Sequence, residues 1–497
     1  MLENKKKSND MMRHEIIRFA RAKLICHSNI DAPAKAVTKE AALAVLGVRL
    51  SLGFNTLKQD RFTLQAAQVA SHMRVMFSVP QDRHSFCSGY PSEPILAEAA
   101  AQQLYTFRKR KPSVVVKLLL DHMESGLLDL GQRGEVVARA MLTEAYDRAV
   151  EKDHPPTDQP PFYSQGCNLT TFINELFHES YAEFILDSFP DKGKSDLTLR
   201  DAFEQSKIRF THFVEMRDDT ATTTDAMYAA FLRGMAIICH PNQPGVDFMI
   251  PVLLWDDTLC EEVMTAIFIQ VKRRTVAGTK QAYAIDEASV NFFPKPSKSK
   301  STSASVRAES RPYITLIMEL GVQPPLSSLA KMSTKVRNKK DKGKAVSKPE
   351  SSLASKKREE TPSRVDIPQK GSRTGLRSLS AATKVEHPRY AISAYGCSST
   401  VYKVVEPKQK VQYAQLLASR DFLASHERQT PESLHAVRKL KPFWAAGPAC
   451  YDWLKNALLN TEPVENPDHG CVSTGDGEFM EAEWIVCFVR CIVSWDR

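Results

Sequence analysis

The sequence predicts an α/β or α+β protein in which a helical N-terminal region precedes a mixed β-sheet flanked by helices. Three patterns favour this class. Apolar residues recur every three or four positions in much of residues 11–152, short apolar runs replace them from about residue 225, and a basic segment at 331–385 separates two of these runs. With 42% hydrophobic and 25% charged residues, the 497-residue chain has the composition of a folded protein, which excludes a wholly disordered, collagen-like or coiled-coil chain.

The helical period is clearest near the N-terminus. Apolar residues share one helical face in residues 115–123 and again in residues 136–146. Four prolines in residues 153–162 end this region, because proline has no N–H group and cannot continue a helix. Helical patterns resume at residues 169–189 and at residues 197–214.

Five short apolar runs rich in β-branched and aromatic residues predict strands. They cover residues 235–240, 246–255, 265–272, 311–320 and 389–396. Their continuous apolarity is typical of a sheet that is covered on both faces. A helical pattern returns at residues 409–424, after the last predicted strand.

One segment carries the formal net charge of +9. Residues 331–385 contain 16 basic and 5 acidic residues, which leaves 51 basic and 53 acidic residues in the rest of the chain. Because the segment is rich in serine, has almost no aromatic residues and lies between two predicted strands, we expect a disordered insertion in a surface loop. The other expected parts are a helical region at 1–152, a core at 163–330 plus 386–465, and a poorly determined tail at 466–497.

Two basic runs in the insertion, residues 335–344 and 355–360, predict contacts with phosphate groups or nuclear import. Clustered lysine and arginine bind polyanions because they release counterions. The candidate nucleic-acid-binding residues are Lys335, Arg337, Lys339, Lys340, Lys342 and Lys344. The expected partners are nucleic acid and nuclear-import factors, and the alternative is a solvated loop without a partner.

Several classes of protein are excluded by what the sequence lacks. Its ten scattered cysteines form no CxxC pair and no zinc-ligand spacing, so structural zinc is not expected. No stretch approaches the roughly 20 apolar residues that span a bilayer, and the basic N-terminus lacks the apolar core of a secretory signal. Walker A, GxGxxG, GxSxG and HExxH motifs are absent. We therefore expect an intracellular protein, in the nucleus or the cytoplasm, without a membrane partner.

The most informative segment is 243–274, which joins two predicted strands through an acidic loop. Asp247 begins the first strand, and Gln270 and Lys272, which face the same side because they are two residues apart, end the second. If the strands are neighbours, Asp247 joins this pair at the end of the sheet. Carboxylate and amide oxygens suit Mg²⁺ or Mn²⁺, and a lysine can position water or offset phosphate charge. The alternative is structural, with the aspartate capping one strand and the other two residues solvating the end of its neighbour.

Gly245, Asp247, Gln270 and Lys272 resemble the motif of the PD-(D/E)XK nuclease superfamily, and more narrowly that of Mrr-type restriction endonucleases. The resemblance covers about residues 225–320, or to 425 at its widest, and extends to the order of helix, three strands, further strand and helix. It implies a metal-dependent DNA-cleaving core. In such a core Asp247 binds the metal, Gln270 replaces the usual glutamate, and Lys272 acts on the attacking water.

This family usually adds a carboxylate from a helix that precedes the strands. Four acidic residues are candidates for that role here: Glu175, Glu179, Glu204 and Asp225. The choice among them is open, and the expected Mg²⁺ or Mn²⁺ ligands are Asp247, Gln270, Glu179 and Asp225.

The whole chain is also similar to a group of proteins from mushroom-forming fungi. The similarity lies in GQRGEVVARAML (131–142), the QVK strand and AISAYGCSSTVYKV (391–404). It implies no function. We expect a divergent metal-dependent nuclease-like protein that binds or hydrolyses nucleic-acid phosphodiesters. The alternative is a noncatalytic interaction protein that has a nuclease-like sheet and a basic loop for recruitment or import.

Overall fold

The order of helices and strands follows the change of hydrophobic period along the chain. The computed structural model describes residues 2–27, 38–54, 59–79, 86–110, 114–124, 133–156, 160–216, 222–240, 245–255, 259–273, 285–288, 290–293, 310–321, 364–367 and 386–417. The expected tail at 466–497 and both basic runs lie outside the described residues, as does most of the expected insertion.

Helices dominate the N-terminal region, as the sequence predicts. They are α1 (Leu2–Ile25), α2 (Lys39–Leu50), α3 (Gln59–Ser71), α4 (Pro94–Arg110), α5 (Val114–Glu124) and α6 (Arg133–Asp153). A small antiparallel hairpin, β1 (Val75–Ser78) with β2 (Cys87–Gly89), interrupts them. Helix α2 packs against its neighbours on all sides, because ten consecutive residues from Ala41 to Leu50 are buried.

The second half of the described chain forms one mixed sheet. Its strands are β3 (Cys167–Asn168), β4 (Lys207–Ile208), β5 (His212–Glu215), β6 (Met235–Ile238), β7 (Phe248–Leu253), β8 (Met264–Lys272), β9 (Tyr313–Glu319), β10 (Arg364–Asp366) and β11 (Arg389–Tyr395). The accompanying helices are α7 (Leu169–Leu176), α8 (Glu179–Leu186), α9 (Leu199–Ala202), α10 (Thr224–Arg233) and α11 (Lys410–Leu417). The five predicted strands are confirmed, and so is the α+β class.

The strand order is β10-β11-β9-β8-β7-β4-β3, with β6 beside the first half of β7 and β5 beside β6. Strands β6, β7 and β8 are antiparallel to one another, while β9 is parallel to β8 and β11 is parallel to β9. Consequently β6 and β8 end, and β7 begins, at the same end of the sheet.

Both faces of the sheet are covered, which explains the continuous apolarity of its central strands. On one face Ile250 and Ile269 pack in a core that includes Val137 of α6. On the other face Met249 and Phe268 pack with Met227, Ala230 and Phe231 of α10. Alternate residues of β7 and β8 face opposite sides of the sheet, so each strand contributes to both cores. The two helices therefore cover opposite faces of the sheet.

The helix predicted at 197–214 is wrong. Only α9 is helical there, and β4 and β5 follow it. Buried Ile208 lies in β4 and buried His212 in β5, and between them the Thr211 N–H donates to the Gly234 carbonyl at 2.7 Å. Over so few residues, the spacing of apolar side chains does not distinguish a helix from a strand. Here β4 pairs with β7 and β5 pairs with β6, which stabilises the extended form.

Two further expectations are refined. The helical pattern at 169–189 forms α7 and α8 with a break at Phe177 and His178, where the His178 N–H donates to the Val401 carbonyl at 2.9 Å. The insertion expected at 331–385 is not wholly disordered, because β10 lies within it and pairs with β11. Ladder hydrogen bonds to β11 stabilise this short strand.

The N-terminal helices and the sheet belong to one compact unit, residues 1–418. The proline-rich segment at 153–162 leads from α6 to β3 within that unit. Among the described residues, no helix combines the length and apolarity that a membrane crossing requires.

Candidate functional site

The pairing of β7 with β8 brings Asp247 to the end of β8. Phe248 is in register with Ile269, and the Asp247 N–H donates to the Ile269 carbonyl at 2.8 Å. The carboxylate then accepts a 2.6 Å hydrogen bond at Oδ2 from the N–H of Val271. Asp247 is thus fixed beside the Gln270–Lys272 segment, which is the arrangement expected if the two strands are neighbours.

Gln270 and Lys272 occupy alternate positions of β8, on the sheet face that α10 covers. The side chain of Gln270 is only 5% exposed, and its Oε1 atom has no hydrogen-bond partner among the described residues. Lys272 is half-buried and lies in register with Glu319 of β9, which is fully buried. An orphaned acceptor such as Gln270 Oε1 is costly to bury unless a donor or a cation reaches it.

Burial dominates the electrostatics of Asp247. It raises the pKa of this carboxyl group, while the Val271 N–H and the nearby Lys272 ammonium act in the opposite direction. Cys239 lies at the end of β6 next to Asp247, and its N–H donates to the Asp247 carbonyl at 2.9 Å. Burial, with a further contribution from the Asp247 charge, raises the pKa of the Cys239 thiol to about 12, so this thiol is neutral.

A second carboxylate reaches this position from the first turn of α6. A Cβ atom at Gly134 would lie 3.6 Å from both Val271 Cγ1 and Arg273 Cβ, so the start of α6 contacts the end of β8. The next residue is Glu135. Burial and the Asp247 charge raise the pKa of Glu135, whereas Arg139 and Lys272 lower it. Glu135, Asp247 and Lys272 therefore share one electrostatic environment.

Arg139 and Glu215 complete the charged surroundings. Arg139 is buried on the next turn of α6 and donates to the carbonyls of Leu50 and Ser51, the latter at 3.1 Å. Burial lowers the pKa of Arg139 to about 10, although Glu135 and Glu215 oppose this shift. Glu215 ends β5 and is exposed. The Arg139 guanidinium is held mainly by backbone carbonyls and also offsets part of the negative charge of Glu135.

The structure does not bring the predicted helix acids to this site. Glu179 and Asp225 are exposed at the starts of α8 and α10, and neither contributes to the electrostatic surroundings described for Asp247 and Glu135. Glu175 instead accepts from Lys403 at 2.8 Å and Lys152 at 3.3 Å. The helix acid whose pKa responds to the Asp247 charge is Glu135, because α6, rather than α8, packs against the end of β8.

Glu135 is not among the acids predicted from the sequence, because it lies about 100 residues before β6 and those acids come from the helices nearest to the strands. A signal existed in the segment at 131–142, where glycine immediately precedes an acidic residue at the start of an amphipathic helix. A Cβ atom at position 134 would make only ordinary van der Waals contacts with β8, so the contact itself, rather than the glycine, brings the next residue to the sheet end.

The donor set partly fits a divalent cation. Within the part of the chain that the structure describes, no three His, Cys, Asp or Glu side chains lie close enough together to hold a metal ion. The available donors on one face are the Asp247 carboxylate and the Gln270 amide oxygen, while the Glu135 carboxylate approaches from the face that α6 covers. Two like charges with raised pKa values and an orphaned acceptor would all be stabilised by a cation. These residues fit a weakly held Mg²⁺ or Mn²⁺ ion better than a tightly held one.

Comparison with known proteins gives one family. A family model described as Domain of unknown function (DUF8736) matches residues 34–343. The matched residues include α6 and the strands β6 to β9, and so the whole candidate site. No curated protein and no solved structure matches the chain.

Proposed function

The chain belongs to the DUF8736 family, and we propose that it is a divergent metal-dependent nuclease-like protein that binds or hydrolyses nucleic-acid phosphodiesters. One observation carries this proposal. The Asp247 carboxylate is fixed beside Gln270 and Lys272 by the Val271 N–H, and Glu135 approaches from α6. The order α10, β6, β7, β8 and β9 also agrees with the order that the PD-(D/E)XK resemblance implies.

The proposed metal ligands are the Asp247 carboxylate and the Gln270 amide oxygen, which face each other across β7 and β8. Glu135 lies on the face that α6 covers and adds negative charge to the site from there. A bound Mg²⁺ or Mn²⁺ ion would polarise a phosphate group and lower the pKa of a bound water. The hydrogen bond from Val271 orients the Asp247 carboxylate, so that this group does not have to be ordered when a ligand binds.

Lys272 supplies the positive charge of the proposed site. Its ammonium acts on the pKa of both Asp247 and Glu135, which places it within electrostatic reach of both carboxylates. At that position it would hold the attacking water or offset the negative charge that develops on the phosphate. Its half-buried position limits competition from bulk water.

The test is cleavage of mixed DNA and RNA substrates with Mg²⁺ or Mn²⁺. We expect the wild-type chain to nick at least one substrate, and Lys272→Ala to lose at least 100-fold in rate, a typical loss for a group that stabilises charge in the transition state. Lys194→Ala is the matched control, because Lys194 is exposed outside the site. Equal cleavage by wild type and Lys272→Ala, across metals and substrates, would refute the proposal.

The alternative function, a noncatalytic interaction protein with a nuclease-like sheet, is favoured by two observations. No group of three metal-ligating side chains occurs in the described residues, and an amide replaces the carboxylate expected at Gln270. In that case nucleic acid or nuclear-import factors would bind the basic runs at 335–344 and 355–360. Deletion of residues 331–363, which spares β10, would then abolish salt-sensitive binding or nuclear accumulation, whereas Asp247→Asn would change neither.

A further inference from the structure

Large exposed apolar side chains are concentrated in two stretches of the chain. Of the 16 that occur in the described residues, nine lie on α1 or on the β1 hairpin and its flanks. They are Met11, Met12, Ile16, Phe19, Met73, Val75, Met76, Phe77 and Val79, with exposed fractions from 42% to 69%. We call these nine residues the N-terminal apolar patch.

Its two parts are neighbours in the fold. Helix α1 buries Ile17, Leu24 and Ile25 and presents Met12, Ile16 and Phe19 outwards at helical spacing. The last turn of α1 contacts the end of α3, where His72 Nδ1 donates to the Leu24 carbonyl at 2.8 Å. The hairpin begins immediately after that contact.

The hairpin is held rigidly at its base while β1 remains exposed. Arg74 donates to the Ser88 hydroxyl and carbonyl, both at 2.7 Å, and its guanidinium stacks on Phe54 at 4.1 Å. Every residue of β1 is nevertheless exposed. Because the backbone is already ordered, a partner that covers β1 would not have to order it.

The area and the charges of this surface indicate its occupant. Because successive residues of β1 face opposite sides of the hairpin, one partner can cover only alternate ones. Met12, Ile16, Phe19, Val75, Phe77 and Val79 together expose roughly 600 Å² of mostly apolar surface, at about 170 to 240 Å² per fully exposed residue, which is near the lower end of what each partner buries in a specific interface. That area is at the upper end for the largest patch on a typical monomer. Residues 75–79 contain no charge and no proline, which are the usual means of protecting an exposed strand from pairing.

We propose that the N-terminal apolar patch is the interface of a two-fold homodimer of this chain. A two-fold interface requires a surface that complements itself. Uncharged β1 can pair with a second copy of itself, and the exposed Glu15 and Arg18, which already contact each other at 3.7 Å, offer both signs of charge to a second α1. The patch lies on different elements from Asp247, so this inference does not depend on the proposed nuclease function.

The test is the mass of the full-length chain by sedimentation velocity across a wide concentration range. We expect a monomer–dimer equilibrium in the wild type, and at least a tenfold weaker dimer in Phe77→Lys and in Phe19→Lys. Phe184→Lys is the matched control, because Phe184 is exposed on α8, outside the patch. Circular dichroism verifies that each variant is folded.

Two outcomes would overturn the inference. A wild-type chain that stays monomeric up to high micromolar concentration excludes the dimer. If that monomer also sediments with anionic vesicles, the patch binds a membrane surface instead, and the inference is equally overturned. A dimer that Phe77→Lys and Phe19→Lys leave unchanged places the interface elsewhere. Hydrogen exchange gives a second measurement, because the amides of β1 should exchange more slowly at high protein concentration.

Discussion

Asp147→Asn is expected to lower the free energy of unfolding by about 3 to 5 kcal/mol. Asp147 of α6 is fully buried and accepts from Arg49 of α2 at 2.6 and 3.3 Å. It also lies 3.1 Å from Arg108 of α4. Asparagine keeps the shape of the side chain but removes its charge, so the change isolates the electrostatic part of this contact.

The magnitude follows from what each arginine retains. Arg108 keeps its ion pairs with Glu144 and Glu151. Arg49 is fully buried, and within the described residues Asp147 is the acid that pairs with it. The variant therefore leaves one buried cation without a counter-charge, which is the situation for which losses of about 3 to 5 kcal/mol are typical.

Urea denaturation followed by circular dichroism measures the loss. Arg200→Gln is the control, because its ion pairs with Glu183 and Asp187 are exposed and should contribute less than about 1 kcal/mol. The double variant Arg49→Met with Asp147→Asn should recover much of the stability, since it removes the orphaned charge as well. A loss below about 1 kcal/mol in Asp147→Asn, or no recovery in the double variant, would refute the reasoning. Because Asp147 fixes α6, the pair also holds the helix that carries Glu135.

Three other predictions concern two residues of the site and the backbone at two glycines. Gln270→Glu should bind Mn²⁺ about tenfold more tightly by calorimetry, because an added carboxylate strengthens a hard-cation site, and unchanged affinity would contradict the assigned ligands. Burial raises the pKa of Asp247 in the folded state, so the folded protein retains a proton that the unfolded chain releases, and stability falls as the pH rises through that window. Without divalent ions, the Tm of Asp247→Asn minus the Tm of the wild type should therefore increase as the pH rises from about 4 to 7. A difference in Tm that does not vary with pH would contradict the raised pKa of Asp247. Gly166→Ala should cost about 1 to 3 kcal/mol in urea denaturation, because φ is +83° and a Cβ atom would lie 2.6 Å from the Ile208 carbonyl oxygen. Gly245→Ala should cost less, since φ is +79° but no atom lies within 4 Å of its Cβ position, and equal losses would contradict this ranking.

The sequence predicted the central sheet because hydrophobic period and strand chemistry agree there. Each of the five apolar runs is bounded by turn residues, and each forms a strand. The prediction that Gln270 and Lys272 face the same side of the sheet followed from the two-residue period of a strand alone. Their closeness to Asp247 required only that consecutive strands pair, which is the commonest arrangement.

The remaining features depend on contacts that are distant in the sequence. Glu135 reaches Asp247 because α6 packs over the end of β8, and no local pattern encodes that contact. Likewise, β4 and β5 are extended because β7 and β6 pair with them, although their own apolar spacing also fits a helix. Residues Arg364–Asp366 form a strand because they pair with β11, although the segment around them is basic and rich in serine.

The central claim is that the end of β8 binds a divalent cation beside Asp247. Anomalous scattering from crystals soaked in Mn²⁺ tests it most directly, because the ion is located independently of any activity. The account predicts an anomalous peak about 2 Å from an Asp247 carboxylate oxygen, with the Gln270 amide oxygen as a further ligand, and loss of that peak in Asp247→Asn. Crystals that take up Mn²⁺ elsewhere and show no peak at Asp247 would contradict it.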